Sequence, residues 1–412
     1  MRALQQSDHQ MPTAARGVRT RRAVLVLCLL GLSGCGAPAT PPAESTSSDP
    51  PIPTSTQVTP PTGPSAAELR RALGIGDEAV FEKRGGQIVK ADISDKRVKD
   101  LSPLKGLPLT VLDLTSSSVT DLSPLQGMPL DTLLLANTPV TDLSPLRDAP
   151  LERLSIAETP ISDLSPLAGR PLITLDARAC QVTDLGPLRG MPLKELILIE
   201  TPVTDLSPLA DLPLELLELT DSAVSDVTPL KGSPVTLLYL EGTKVADIAP
   251  LAGLPLKKLW LKDTPVADIS ALSGMRLEEL SLMNTQVANI DACRTMPHIG
   301  ILWLRGTQVT DLSPLKDVDI PSLDVQGTPV SDLSPLAGKF SLQRLNIADS
   351  AVSDLRPLAA LSLTRLIFTP SKIEHGIEII RGMQSLQALD VQFEDASSVL
   401  RPDEFWAKYD AG

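Results

Sequence analysis

The chain reads as a repeat solenoid, a stack of short parallel β-strands joined by irregular or 3-10 turns. Three observations point there. A proline-containing unit recurs at a fixed interval, the apolar residues inside each unit alternate over only a few positions, and leucine must fill the interior. The 412 residues are 42% hydrophobic but only 2% aromatic, and 38 of them are proline. Ordinary domains average about 5% proline, so one piece of turn chemistry is being used many times.

From Asp100 the unit D-L-S-P-L returns with its Asp or Asn at positions 100, 121, 142, 163, 184, 205, 226, 247, 268, 289, 311, 332 and 354. The spacing is 21 residues, relaxed twice to 22. Between anchors runs P-L-x-x-L-x-L-x-x-T-P-V-T, as from Pro129-Leu130 through Leu133-Leu134-Leu135 to Thr138-Pro139-Val140-Thr141. The L-x-L alternation has the period of a strand, and the prolines exclude a long helix from the return. One such unit cannot bury its own leucines. Stacking gives every strand a neighbour and encloses a continuous leucine core.

The motif L-x-x-L-x-L-x-x-T-x-V-x-D-L resembles the bacterial leucine-rich repeats of the internalin-like kind, over roughly residues 87–391. The resemblance implies a right-handed horseshoe with parallel strands on the concave face and irregular or 3-10 turns on the convex face. Where those repeats carry Asn after the strand, this chain mostly has Thr: Thr138, Thr159, Thr201, Thr243, Thr264, Thr285, Thr307 and Thr328. Ser117, Ser222, Ser350 and Cys180 stand in the same register. This ladder of small side chains is expected to donate to the backbone of the neighbouring coil.

Ahead of the repeats, Arg16, Arg19, Arg21 and Arg22 lead into the apolar run Ala23 to Leu32 and then Leu32-Ser33-Gly34-Cys35. The run is shorter than the ~20 residues that span a bilayer, as in an export signal. Leu-Ser-Gly-Cys resembles the lipobox of bacterial lipoproteins, which implies cleavage before Cys35, lipidation of its thiol and a place in the cell envelope, anchored to the outer membrane or to a periplasm-facing one. Loss of residues 1–34, with five Arg and one Asp, takes the formal charge from −13 to −17. That charge disfavours nucleic acid and anionic lipid as partners.

The expected organisation is a signal peptide over 1–34, a Pro/Ser/Thr-rich tether over 35–64, an N-terminal cap over 65–99, the solenoid over 100–391, and a C-terminal cap and tail over 392–412. Within the first cap, Ser65-Ala66-Ala67-Glu68 has the form of a capping box opening a short helix that breaks at Gly74. Val80 and its neighbours, Gly85-Gly86, and Ile88 to Ile93 read as a hairpin. Near the end, Ile373 to Val391 reads as a helix and a last strand, with Phe405, Trp406 and Tyr409 closing the core.

Each anchor Asp precedes Leu-Ser-Pro-Leu, a setting in which a carboxylate accepts N–H groups of its own turn; calcium between coils is the alternative. Cys180 and Cys293 are about five repeats apart, roughly 25 Å at ~4.8 Å per strand, too far for a disulfide. Both are expected as buried thiols. The middle residue of each L-x-L points outward on the strand face: Asp113, Leu134, Ser155, Asp176, Ile197, Glu218, Tyr239, Trp260, Ser281, Trp303, Asp324 and Asn346. Tyr239, Trp260 and Trp303 fall within four adjacent repeats. With Leu237, Lys258, Lys262, Met283 and Arg305 beside them they form the candidate ligand-binding face for a protein or glycan; the alternative is that the rings simply pack along the sheet.

Glu195, Glu200, Glu215, Glu218 and Glu241 adjoin the patch and suggest a gradient from acidic to basic. Asp176 and Glu218, two repeats apart, would stand roughly 9.5 Å from one another, the far limit for an inverting glycosidase pair. His298 and His375 form no metal-ligand or Ser-His-Asp spacing. The residues therefore point to a binding module, with no enzyme activity, cofactor, metal or nucleic acid expected. An envelope scaffold without a ligand is the second reading.

Overall fold

The computed structural model describes residues 63–391 and 400–411. The signal peptide, Cys35 and nearly all of the tether lie outside the described residues. Helix α1, Ala66–Leu73, opens on the capping box: Glu68 N–H donates to Ser65 Oγ at 3.2 Å and Ser65 N–H to Glu68 Oε2 at 2.7 Å. Gly74 ends it in the left-handed conformation. An antiparallel hairpin follows, β1 Val80–Arg84 and β2 Gln87–Asp92, turning through Gly85-Gly86.

From β2 onward every strand is parallel to the next, in chain order, within one sixteen-stranded sheet among the described residues. The first coils contribute β3 Val111–Asp113, β4 Thr132–Leu134, β5 Arg153–Ser155, β6 Thr174–Asp176, β7 Glu195–Ile197 and β8 Leu216–Glu218. β9 Leu237–Tyr239, β10 Lys258–Trp260, β11 Leu277–Ser281 and β12 Ile299–Trp303 follow. β13 Ser322–Asp324, β14 Arg344–Asn346, β15 Arg365–Ile367 and β16 Ala388–Asp390 complete the sheet.

Most returns turn through a one-turn 3-10 helix on an x-P-L triplet, often S-P-L as at Ser207–Leu209. Proline suits it because the N–H of a first-turn residue has no acceptor within the helix, so its absence loses no hydrogen bond. The leucines flanking each strand, with the Val and Leu of the return, form one core running from Leu69 to Trp406.

The anchor carboxylates cap these turns. Asp142 Oδ1 accepts Ser144 N–H at 2.8 Å and Asp311 Oδ1 accepts Ser313 N–H at 2.7 Å; at Asn289 an amide oxygen does the same for Asp291 N–H at 2.6 Å. Stacking places like charges side by side, and Asp100 and Asp142 do push the Asp121 pKa upward. The Ser123 hydroxyl and N–H outweigh them, and Asp121 ends below the ordinary Asp value. Hydroxyl and N–H two residues on likewise lower Asp100, Asp142, Asp226 and Asp311. Asp163, Asp205 and Asp268 are lowered first by the N–H and then by the hydroxyl.

The ladder differs from expectation. Each Thr hydroxyl donates within its own coil, to the carbonyl three residues back: Thr243 Oγ1 to Leu240 O at 2.7 Å, Thr264 Oγ1 to Leu261 O at 2.6 Å. The neighbouring coils are already tied by backbone bonds such as Gly242 N–H to Lys262 O at 2.9 Å, so the hydroxyl takes the nearest acceptor. Cys180 does reach across, its Sγ 2.8 Å from Ile156 O of the preceding coil. Of the serines in this register, Ser350 Oγ donates in the same way to Ile347 O at 2.7 Å, whereas the Ser117 and Ser222 hydroxyls are buried without a hydrogen-bond partner.

Cys180 and Cys293 are free and buried; burial pushes the Cys293 thiol up to about 12. At the C-terminal end the helix is shorter than its apolar pattern suggests, α2 Ile377–Gly382. The chain before it is committed to pairing with the previous coil, His375 against Asp354, and Gly376 at φ +85° is pressed so close that a Cβ would meet Arg356 N at 2.7 Å. Helix α3, Pro402–Asp410, brings Phe405 and Trp406 onto the core, with Phe405 5.6 Å from Phe368. Tyr409 stacks outside them and stays exposed.

A carboxylate whose pKa is depressed on folding stabilises the fold above its unfolded value, and that contribution is lost as pH falls through the folded value. Melting temperature is therefore expected to fall as pH drops below the ordinary Asp value of 3.8. Burial raises Asp113 and Asp324, which act in the opposite sense but are outnumbered. Asp142→Asn/Asp163→Asn/Asp311→Asn keeps an acceptor, as Asn289 shows, and should flatten this acid slope; circular dichroism melts from neutral to strongly acidic pH would measure it.

Candidate binding face

Strand pairing sets the face. Tyr239, Trp260, Ser281, Trp303 and Asp324 stand in one register across β9 to β13. Residues 21 or 22 apart in sequence thus become neighbours. The rings touch in series: Tyr239 and Trp260 meet edge to face at 5.0 Å, and Trp260 and Trp303 do so at 6.1 Å across the small Ser281. Both distances lie in the favourable range for aromatic pairs. A second row holds Leu237, Lys258, Glu279 and Ile301. The third holds Lys262, Met283 and Arg305, linked by Asp263 N–H to Met283 O at 2.9 Å and Asn284 N–H to Arg305 O at 2.8 Å. All eight candidate residues, Tyr239, Trp260, Trp303, Leu237, Lys258, Lys262, Met283 and Arg305, are half-buried here.

The expected basic end of the face is largely neutralised. Lys258 Nζ lies 2.7 Å from Glu279 Oε1, and Trp260 Nε1–H donates to the other oxygen of that carboxylate at 3.2 Å. Lys262 pairs with Asp263 at 3.3 Å. Sequence reasoning missed Glu279 and Ile301, although they sit one and two repeats along the same row from Lys258. Burial, then the charges of Glu218, Glu279 and Glu241, push the Tyr239 hydroxyl up to about 12, so the phenol stays neutral.

The suggested pair of catalytic carboxylates does not survive as such. Asp176 is buried and gripped by Arg178, whose Nε lies 3.0 and 3.1 Å from its two oxygens while Nη2 reaches the same carboxylate. Burial opposes the Arg178 charge, but the Asp176 hydrogen bonds and charge outweigh it and hold its pKa above the ordinary value. A buried carboxylate with both oxygens taken by one guanidinium is not presented to a substrate on the strand face.

A histidine, an aspartate and a serine do come together elsewhere, with His298 Nδ1 2.7 Å from Asp319 Oδ2 and Ser341 hydrogen-bonded to the same carboxylate. The order is wrong for nucleophilic catalysis, because the imidazole must lie between hydroxyl and carboxylate. Among the described residues no group of His, Cys, Asp or Glu is arranged to hold a metal ion.

These coils, turns and ladder define a leucine-rich-repeat solenoid. It is similar to the InlJ functional domain of Listeria monocytogenes, described as including a cysteine ladder, with 18% identity, TM-score 0.53, and 73% of each chain covered. It also resembles a leucine-rich-repeat protein of Leptospira interrogans (19% identity, TM-score 0.51, 73% of this chain and 94% of that one). The solenoid of PEPR1 with AtPEP1 gives 18% identity and TM-score 0.50, covering 76% of this chain and 46% of that one. At these identities the likeness shows the fold. No protein-family model and no curated protein matches the chain.

Removing the Asp176 carboxylate strands a buried guanidinium. Asp176→Asn is expected to cost about 3 kcal/mol in urea unfolding, against near-neutral Glu195→Gln on the next strand. Equal, small effects would show that the ion pair is not what holds Asp176 in place.

Proposed function

We propose that this protein is a lipid-anchored binding module of a bacterial envelope that recognises a protein or peptide through the strand face around Tyr239, Trp260 and Trp303. The carrying observation is the continuous chain of three half-buried rings on the sheet face; the exposed aromatics elsewhere among the described residues, Phe340 and Tyr409, lie outside that chain. Large amphipathic rings flanked by Met and Arg are what interfaces use as anchors. Leucine-rich-repeat solenoids typically bind proteins, and PEPR1 forms a complex with AtPEP1. The edge-to-face contacts favour a second reading, in which the rings stiffen a spacer. A glycan ligand would be met by the same rings.

The aromatic variant Tyr239→Ala/Trp260→Ala/Trp303→Ala separates these readings. Capture from envelope extract by the full chain, compared with this variant after circular dichroism confirms folding, should show partners lost in the variant. Identical capture by both would favour the spacer.

Anchoring is tested separately by Cys35→Ser. The variant is expected to move from the membrane pellet to the soluble fraction and to lose lipid-derived mass; an unchanged distribution would remove the anchor from the proposal.

A further inference from the structure

The face divides electrostatically at β9. Along β7 to β9 and the residues just after them, the apolar Ile199, Leu216 and Leu237 are interleaved with Glu195 and Glu218, Glu241 is buried beneath, and the adjoining rim adds the exposed Glu200 and Asp221. Glu200 and Asp221 sit at positive φ, 54° and 56°, in the turn that follows each strand. Among the cations beside this half, Arg178 pairs with Asp176 and also feels the Glu218 charge, Lys194 pairs with Glu215 at 2.8 Å and Lys258 with Glu279 at 2.7 Å, so by count carboxylates outnumber cations here. The excess of carboxylate on this half agrees in sign with the whole chain, at −13.

We propose that the ligand is a basic polypeptide segment, laid across the strands so that its Lys or Arg residues meet the acidic half while its apolar residues rest on the Tyr239–Trp260–Trp303 rings. The proposal rests on reading this face as a binding surface and adds the chemistry of its partner. Charge complementarity carries it: an acidic segment would bring like charges onto Glu195, Glu200 and Asp221, whereas a basic one gains both steering and contact. From β7 to β12 is about 24 Å at ~4.8 Å per strand, the length of about seven extended residues. Arginine and lysine can also lie over ring faces that the ring chain leaves exposed.

The test uses the full chain and three labelled peptides of equal length, alternating leucine with lysine, glutamine or glutamate, followed by fluorescence anisotropy at about 50 mM and about 300 mM salt. The lysine peptide should bind at least about tenfold more tightly than the glutamine peptide at low salt. Glu195→Gln/Glu200→Gln/Asp221→Asn should weaken it about tenfold, and so should the aromatic variant, whose charge is unchanged. Asp148→Asn/Glu374→Gln/Glu378→Gln, which removes as many charges outside the face, should leave it intact. Equal weakening by this control would reduce the effect to bulk charge and overturn the proposal, as would undiminished binding to the Glu195 variant. Tight glutamine or glutamate peptide binding lost only in the aromatic variant would keep the binding face but overturn its basic partner. If no peptide responded to either face variant, both readings would fall.

Discussion

The structure depends on one constraint: from β2 to β16 each coil hydrogen-bonds to the next in parallel, in unbroken chain order. A coil of this size has no interior of its own, so its leucines are buried only when its neighbours stand in the same register. The two 22-residue coils absorb their extra residue outside the strands, leaving Ser281 paired with Trp303 and Asp324 with Asn346.

Register turns sequence period into columns, and each column must be solved energetically as a unit. The aspartate column would repel itself, and it is stable because each carboxylate takes an N–H of its own turn and often a hydroxyl as well. The ladder column solves a different problem, giving a buried hydroxyl an acceptor inside its own coil. Ser350 makes the same bond to Ile347 O at 2.7 Å, whereas at Ser117 and Ser222 the hydroxyl stays buried and unsatisfied.

The strand face has looser rules, since its side chains are not required to fill a core. There the coils differ, and local pairing decides what each charge can do. Asp176 is consumed by Arg178, and Lys258 by Glu279, which also fixes the Trp260 indole. Around Glu195, Glu200 and Asp221 the balance stays acidic. The result is a ring chain between a neutralised half and an acidic one.

By itself, the sequence determined the solenoid, the strand positions, the turn-capping aspartates and the three rings on one face, because each follows from a period of two within the strand and 21 along the chain. It also determined that Cys180 and Cys293 stay apart, since repeat count is distance in a stack. Tertiary structure decided the rest. Which acceptor a threonine chooses, whether Asp176 is free or gripped, and whether Lys258 presents a charge all depend on side-chain rotamers and on atoms a few ångströms away in another coil. A repeat pattern fixes where a residue stands, but contacts across the stack fix its protonation, orientation and availability, and those contacts exist only once the coils are assembled.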